Sequence, residues 1–223
     1  MITPNIIDLR GKLPQHKTKR YKKRRLEDIR SIGIHHSLTL TGSAEAFARY
    51  HVNNNNWPGI AYTYVIDHDG KIYKCWDHDV ITYHVGNSNK HALGICMVGD
   101  FRKQLPTKKQ YQSSLWLVDY LKRQLPNVTQ IKGHSEYPGY SWKSCPVIDM
   151  NKYRSDVEMS NQSKIKFKDV PDNYWAISDI ENIAEQGLMI GFEDDTFRPK
   201  EPITREQLAV ILTRIQNKKE GEI

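Results

Sequence analysis

Apolar and polar positions along this chain switch between a period of two and a helical period. Residues 31–37 (SIGIHHS) form a short apolar run that reads as a buried strand. Ser43 is placed to cap a helix reaching about residue 53, with Ala46, Phe47 and Tyr50 at helical spacing. Asparagines and Pro58-Gly59 mark 53–59 as a loop. Residues 61–67 and 71–76 are rich in strand formers, and Asp69-Gly70 between them predicts a hairpin. Residues 93–98 (LGICMV) predict another strand. Thr107-x-x-Gln110 has the form of a capping box, opening a helix with Tyr111, Leu115, Val118, Leu121 and Leu125 on its apolar face. Pro126 ends that helix, 128–132 predict a last strand, and 133–145 read as a loop. Strands and helices are interspersed, so the first module is expected to be α/β, a mixed central sheet flanked by helices.

The pattern changes after residue 154. Residues 155–166 (SDVEMSNQSKIK) are polar and lack periodicity, as a linker would. From Phe167 a small all-α helix-loop-helix module is expected. Trp175, Ile180, Ile183 and Ala184 fit one helix, stopped by Gly187. Thr204-x-x-Gln207 opens a second, whose Leu208, Ile211, Leu212 and Ile215 follow an amphipathic spacing. The expected domains are therefore 1–154, a linker 155–166, and 167–223.

Charge supports this division. Residues 1–160 hold 24 basic and 14 acidic side chains, a net +10, whereas 161–223 hold 9 and 12, a net −3. The densest run is 16–25 (HKTKRYKKRR). It reads either as a solvated surface segment or as a long-range attractor for anionic polymer. No stacking aromatics or recognised motif accompany it, so nucleic acid is not expected as a partner. No apolar run approaches the roughly 18–20 residues of a membrane span. The first five residues lack a charged and then apolar leader, so synthesis in the cytoplasm without a signal peptide is expected.

Three cysteines, Cys75, Cys96 and Cys145, are too few for a disulfide framework. Three positions combine chemically: His35 in the predicted strand, His134 just past another strand, and Cys145. Two imidazoles and a thiolate, with one coordination position left open, form a zinc-hydrolase ligand set. His35 and His36 point to opposite faces of a strand, so only one can join a given site. Spacing alone leaves open the plainer reading of His35 and His134 as core histidines.

The blocks SIGIHHS, GIAYTYVIDHDGKIY, HVGNSN, ALGICMVGD and KGHSEYPGYSWKSCP, in this order over about residues 30–150, resemble the zinc amidase family. That family contains phage lysozymes with N-acetylmuramoyl-L-alanine amidase activity and the peptidoglycan recognition proteins. The resemblance implies Zn2+ ligated by His35, His134 and Cys145, with Tyr62 and Lys143 catalytic. Lys143 stands two residues before Cys145, and in extended chain i and i+2 face the same way. Where some members carry a glutamate this chain has Cys96, which reads, like Cys75, as a buried strand residue. His84 matches a family histidine lining the substrate cleft; otherwise it is a surface turn residue. The aromatics of YPGYSW either shape a groove or pack their own loop.

Residues 167–215 resemble a single S-layer homology repeat, through FKDVPDNYW and ENIAEQGLMIGFEDDTFRPKEPITREQLA. The resemblance implies binding of a secondary cell-wall polymer, with Arg205 in the ITRE motif and Trp175 near the groove. Trp175 equally fits the helix core. A lone repeat leaves the oligomeric state open: three chains assemble, one repeat binds weakly, or an unlike surface completes the unit. The combined expectation is an endolysin that acts on the bacterial wall after release, cleaving between N-acetylmuramic acid and L-alanine. The alternatives are a non-catalytic peptidoglycan-binding protein and a structural surface-layer protein.

Overall fold

The computed structural model describes residues 6–162 and 165–220. The chain divides into two compact units, one ending at Met159 and the other beginning at Ser160. No helix among the described residues is long and apolar enough to cross a membrane.

The first unit is built on one mixed sheet. Its strands are β1 (Ile6–Asp8), β2 (Ser31–His36), β3 (Tyr64–Ile66), β4 (Ile72–Lys74), β5 (Ala92–Met97) and β6 (Gln130–Gly133), ordered β1-β4-β3-β5-β2-β6. Only β3 and β4 pair antiparallel, around the Asp69-Gly70 turn; the other neighbours are parallel. The two-residue period of the strands sorts their side chains. Ile32, Ile34, Ile95, Met97, Tyr64 and Ile66 form the dry core under helix α2 (Lys108–Gln124), which adds Leu117, Val118 and Leu121. The other face carries helix α1 (Ala44–Asn53), whose Ala44 and Ala48 pack with Ile60, Val65 and Val98. Ser43 caps α1, accepting from the Ala46 N–H at 3.2 Å.

Three differences from expectation have physical reasons. The edge strand β1 holds only two apolar residues, too few to show a period. The expected linker 155–166 is instead helical through Gln162, as helix α3 (Met150–Gln162). Met150, Tyr153 and Val157 make one buried stripe at i, i+3 and i+7, which the polar residues between and after them masked. Residues 163–164 of that expected linker, like the first five residues, on which the expectation of no signal peptide rests, lie outside the described residues. Finally, Thr107 caps α2 by accepting from the Gln110 N–H, but Gln110 does not complete the box. Its amide turns into the sheet and donates to the carbonyls of Ile66 and Val98, at 3.0 and 2.9 Å. Two buried carbonyls at the ends of β3 and β5 outweigh one accessible helix N–H.

The second unit holds helices α4 (Ile177–Glu185) and α5 (Arg205–Glu220) around a small core of Phe167, Val170, Ile177, Ile180, Ala184 and Phe197. Gly187 ends α4 at φ +68°, with the Leu188 N–H reaching back to the Ile183 carbonyl. Thr204 and Gln207 form the full reciprocal capping box on α5. The expected amphipathic face of α5 is not buried: Leu208 and Leu212 are exposed and Ile211 and Ile215 half-buried. Of that stripe only Ile211 lines the open groove of ≈ 350 Å³ beside α5.

Candidate metal centre

The site lies on the α1 side of the sheet, at the ends of β2, β5 and β6. His35 projects from β2, in register with Cys96 on β5. His134 follows β6 directly, in a short 3-10 turn. That turn is held from two sides. The Gly133 N–H donates to the Glu136 carboxylate at 2.8 Å, and Arg154 of α3 pairs with the same carboxylate at 3.0 Å. The Ser135 N–H then reaches the Cys145 carbonyl, closing the loop onto the site. The unanticipated helix α3 thus braces the residue that carries His134.

These connections bring together the three residues expected to bind metal. One donor atom each of His35, His134 and Cys145 lies within 4.8 Å of the other two. Nδ1 of His35 is 3.2 Å from Nδ1 of His134 and 3.9 Å from Sγ of Cys145. Burial keeps both imidazoles neutral: His35 is held well below its ordinary value, also repelled by His84 and His134, and His134 is pushed down to about 4. Burial raises the Cys145 thiol to about 11, opposed by the His36 backbone N–H and the Lys143 charge. The donor set fits a zinc ion. It offers two neutral imidazoles and one sulfur whose donor atoms lie within 4.8 Å of one another.

His36, one residue on, does something else. Its Nδ1 accepts from the Phe101 N–H and its Nε2–H donates to the Ser144 carbonyl, each at 2.9 Å. It therefore fixes the chain just before Cys145 from the opposite parity of the strand.

Tyr62 stands against His35, ring centroids 5.3 Å apart. Burial, with Cys96 and Cys145 beside it, raises its hydroxyl well above the usual range, so it is a proton-bearing donor. Lys143 lies with its ammonium 4.4 Å above the exposed Trp142 ring. An open indole face attracts a cation. Its charge still reaches His134 and Cys145, favouring their deprotonated forms. Of the loop aromatics, Tyr137 is buried with its hydroxyl 2.9 Å from the Ser31 hydroxyl, and Tyr140 packs against His134. Only Trp142 faces solvent. Cys75 and Cys96 are buried, on and just beyond strands.

His84 is buried rather than a surface turn residue. It is 7% exposed, and Nδ1 sits 3.0 Å from Nε2 of His35. Its floor is the register pair Gly33 and Gly94, where an added Cβ would come within 3.2 and 2.9 Å of the ring. That pair was the available sequence signal: a glycine two residues before His35 and another two before Cys96, each inside a predicted strand.

A family model described as N-acetylmuramoyl-L-alanine amidase matches residues 25–147, more than half of the chain. The chain belongs to this amidase family. A second model, the S-layer homology domain, matches residues 166–209. Among solved structures, the endolysin N-acetylmuramoyl-L-alanine amidase LysCS of Clostridium intestinale URNW aligns with a TM-score of 0.60. The match covers 70% of this chain and 97% of that one, at 21% identity, and so is a likeness of fold. Peptidoglycan-recognition protein 2 of Holotrichia diomphalia is 30% identical over 93 residues, 38% of this chain and 50% of that protein. The outer membrane protein SlpA of Thermus thermophilus is 40% identical over 58 residues, 26% of this chain. The chain spans half or less of the length of these two curated relatives.

In the second unit Trp175 is 85% exposed, in the turn before α4, and so is not part of that helix's core. Arg205 is the first residue of α5 and is exposed. Neither lines the groove beside α5, which is walled by Phe192, Phe197, Ile203 and Val210, with Arg198, Glu201, Glu206, Gln207 and Arg214 at its polar positions. Arg198 stacks on Phe192, and Arg214 donates to the Leu188 carbonyl at 3.0 Å.

Proposed function

We propose that this amidase-family chain is a zinc-dependent peptidoglycan hydrolase that cleaves the amide between the lactyl group of N-acetylmuramic acid and L-alanine. The observation that carries the reading is the convergence of His35, His134 and Cys145 within 4.8 Å, beside a neutral Tyr62. In this reading those three residues hold the metal. A bound zinc supplies a water of lowered pKa and polarises the scissile carbonyl. Tyr62 donates its hydroxyl hydrogen bond to the carbonyl oxygen as negative charge gathers there. Lys143 swings from Trp142 to set its ammonium against the same oxygen. The second unit, from about Ser160, tethers the enzyme to a secondary cell-wall polymer through Arg205 and Trp175. Together the two describe an endolysin of phage or prophage origin.

A binding-only reading draws on the similarity to a peptidoglycan-recognition protein. One experiment separates the two: purified peptidoglycan is digested with and without chelator and the products are weighed by mass spectrometry. The proposal expects new L-alanine amino termini that disappear with chelator and return with zinc. New reducing sugars would indicate a glycosidase, and undigested wall to which the protein stays bound would favour the binding-only reading. Arg205→Ala and Trp175→Ala are expected to lower retention on polymer-bearing walls while leaving hydrolysis of soluble fragments intact.

A further inference from the structure

We infer that His84 is a positioning residue for the metal centre: it determines which nitrogen of His35 is free to bind. The inference rests on the zinc reading above and is carried by a chain of hydrogen bonds. Nε2 of His84 lies 3.2 Å from the Ala92 carbonyl, which can only accept. The proton of His84 is therefore on Nε2, and Nδ1 of this neutral ring is an acceptor. Nε2 of His35, 3.0 Å away, must supply the proton between them. A neutral imidazole has one N–H, so Nδ1 of His35 keeps its lone pair. That is the atom facing Nδ1 of His134 and Sγ of Cys145. The sequence carbonyl, imidazole, imidazole thus selects one tautomer of the ligand before any metal arrives.

The surroundings hold His84 to this task. The paired Gly33 and Gly94 leave a flat bed for the ring, and methyl groups at either position would lift it. Asn89 Oδ1 accepts from the backbone N–H groups of both His84 and Val85, at 3.0 and 2.6 Å, fixing the chain at the ring's base. Metal-bound histidines as a rule give their second N–H to a carboxylate, a carbonyl or water. Here the acceptor is a second neutral imidazole. It orients His35 without burying a negative charge, which would need its own counter-ion.

The test uses the full chain and two substitutions. His84→Phe keeps a ring on the glycine bed but removes the acceptor. His84→Asn offers its side-chain oxygen close to where Nδ1 stood. Zinc affinity is measured by competition with a chromophoric chelator, and the His35 tautomer by long-range ¹⁵N imidazole spectra of the zinc-free protein. The expected result is Nε2–H at His35 in the wild type, about 10–100-fold weaker zinc binding in His84→Phe, and recovery of most of that loss in His84→Asn. Nδ1–H at His35 in the wild type would overturn the inference whether or not the variants fold. So would wild-type zinc affinity in His84→Phe. A wild-type chain that binds no zinc yet shows Nε2–H at His35 would overturn the zinc reading and leave the imidazole chain standing.

Discussion

On its α2 side the central sheet is dry, whereas on its other side β2 and β5 carry a glycine bed, His35 and Cys96, against which His84, His134 and Cys145 are set from outside the strands. Ile34 and His35 are consecutive, yet one packs in the core under α2 and the other meets His84, His134 and Cys145. The α2 face is filled by branched side chains and held by burial, which is non-directional. The site face uses Gly33 and Gly94 to make room and is held by directional hydrogen bonds between imidazoles, carbonyls and backbone N–H groups. The contrast teaches that stability and chemistry are assigned here by strand parity. Damage to one face should be separable from damage to the other.

The sharpest test of that separation is at the metal ligands. His35→Ala and Cys145→Ser should abolish zinc retention and turnover, with thermal unfolding of the zinc-free protein changed little. A large fall in the melting temperature of the zinc-free variants would mean the two faces are not independent. Next in size is the core side. Ile34→Ala should cost about 2–5 kcal/mol in denaturant unfolding, while the folded fraction keeps its zinc affinity. Smaller, and placed between the two, is His36→Ala. It leaves the Phe101 N–H and the Ser144 carbonyl unpaired, which should cost about 1–3 kcal/mol and loosen the Cys145 segment. Loss of stability without any weakening of zinc binding would show that Ser144 does not position Cys145.

The mildest effect concerns pH. His51 and His78 are both pushed down from the ordinary 6.5 to about 4, chiefly by burial. Each is neutral when folded but takes up a proton more readily when unfolded. Between pH 6.5 and about 4 the unfolded state binds more protons, so stability should fall as pH falls through that window and level off, for these groups, below it. His51→Asn offers another acceptor for the Ala61 N–H without a titrating ring, and should flatten the slope of stability against pH. An unchanged slope would remove His51 from the account.

Much of this was legible in the chain. The run SIGIHHS, the hairpin at Asp69-Gly70 and the stripe from Tyr111 to Leu125 predicted β2, β3–β4 and α2 because their periods are strong and local. The basic run 16–25 was less legible, since composition does not show which cations are engaged. Arg24 is half-buried, donating to the carbonyls of His78, Asn89 and Ala92, and Lys23 and Arg25 pair with Asp79 and Asp28. The helix α3 was hidden because a stripe of three apolar residues is weak beside its polar neighbours. Trp175 left two readings open, and its 85% exposure removes the helix-core one.

By itself, then, the sequence determined the local elements, the family blocks, and through parity the fact that His35 and His36 cannot serve the same site. Period and backbone geometry are local properties, and so can be read residue by residue. Only the tertiary structure decided what surrounds those residues. It seated His84 on Gly33 and Gly94 behind His35, turned Gln110 from its helix cap into the sheet, and braced His134 through Glu136 and Arg154. Each of those arrangements joins atoms far apart in the chain, and their partners are fixed by which strands neighbour which, an order that no local pattern encodes.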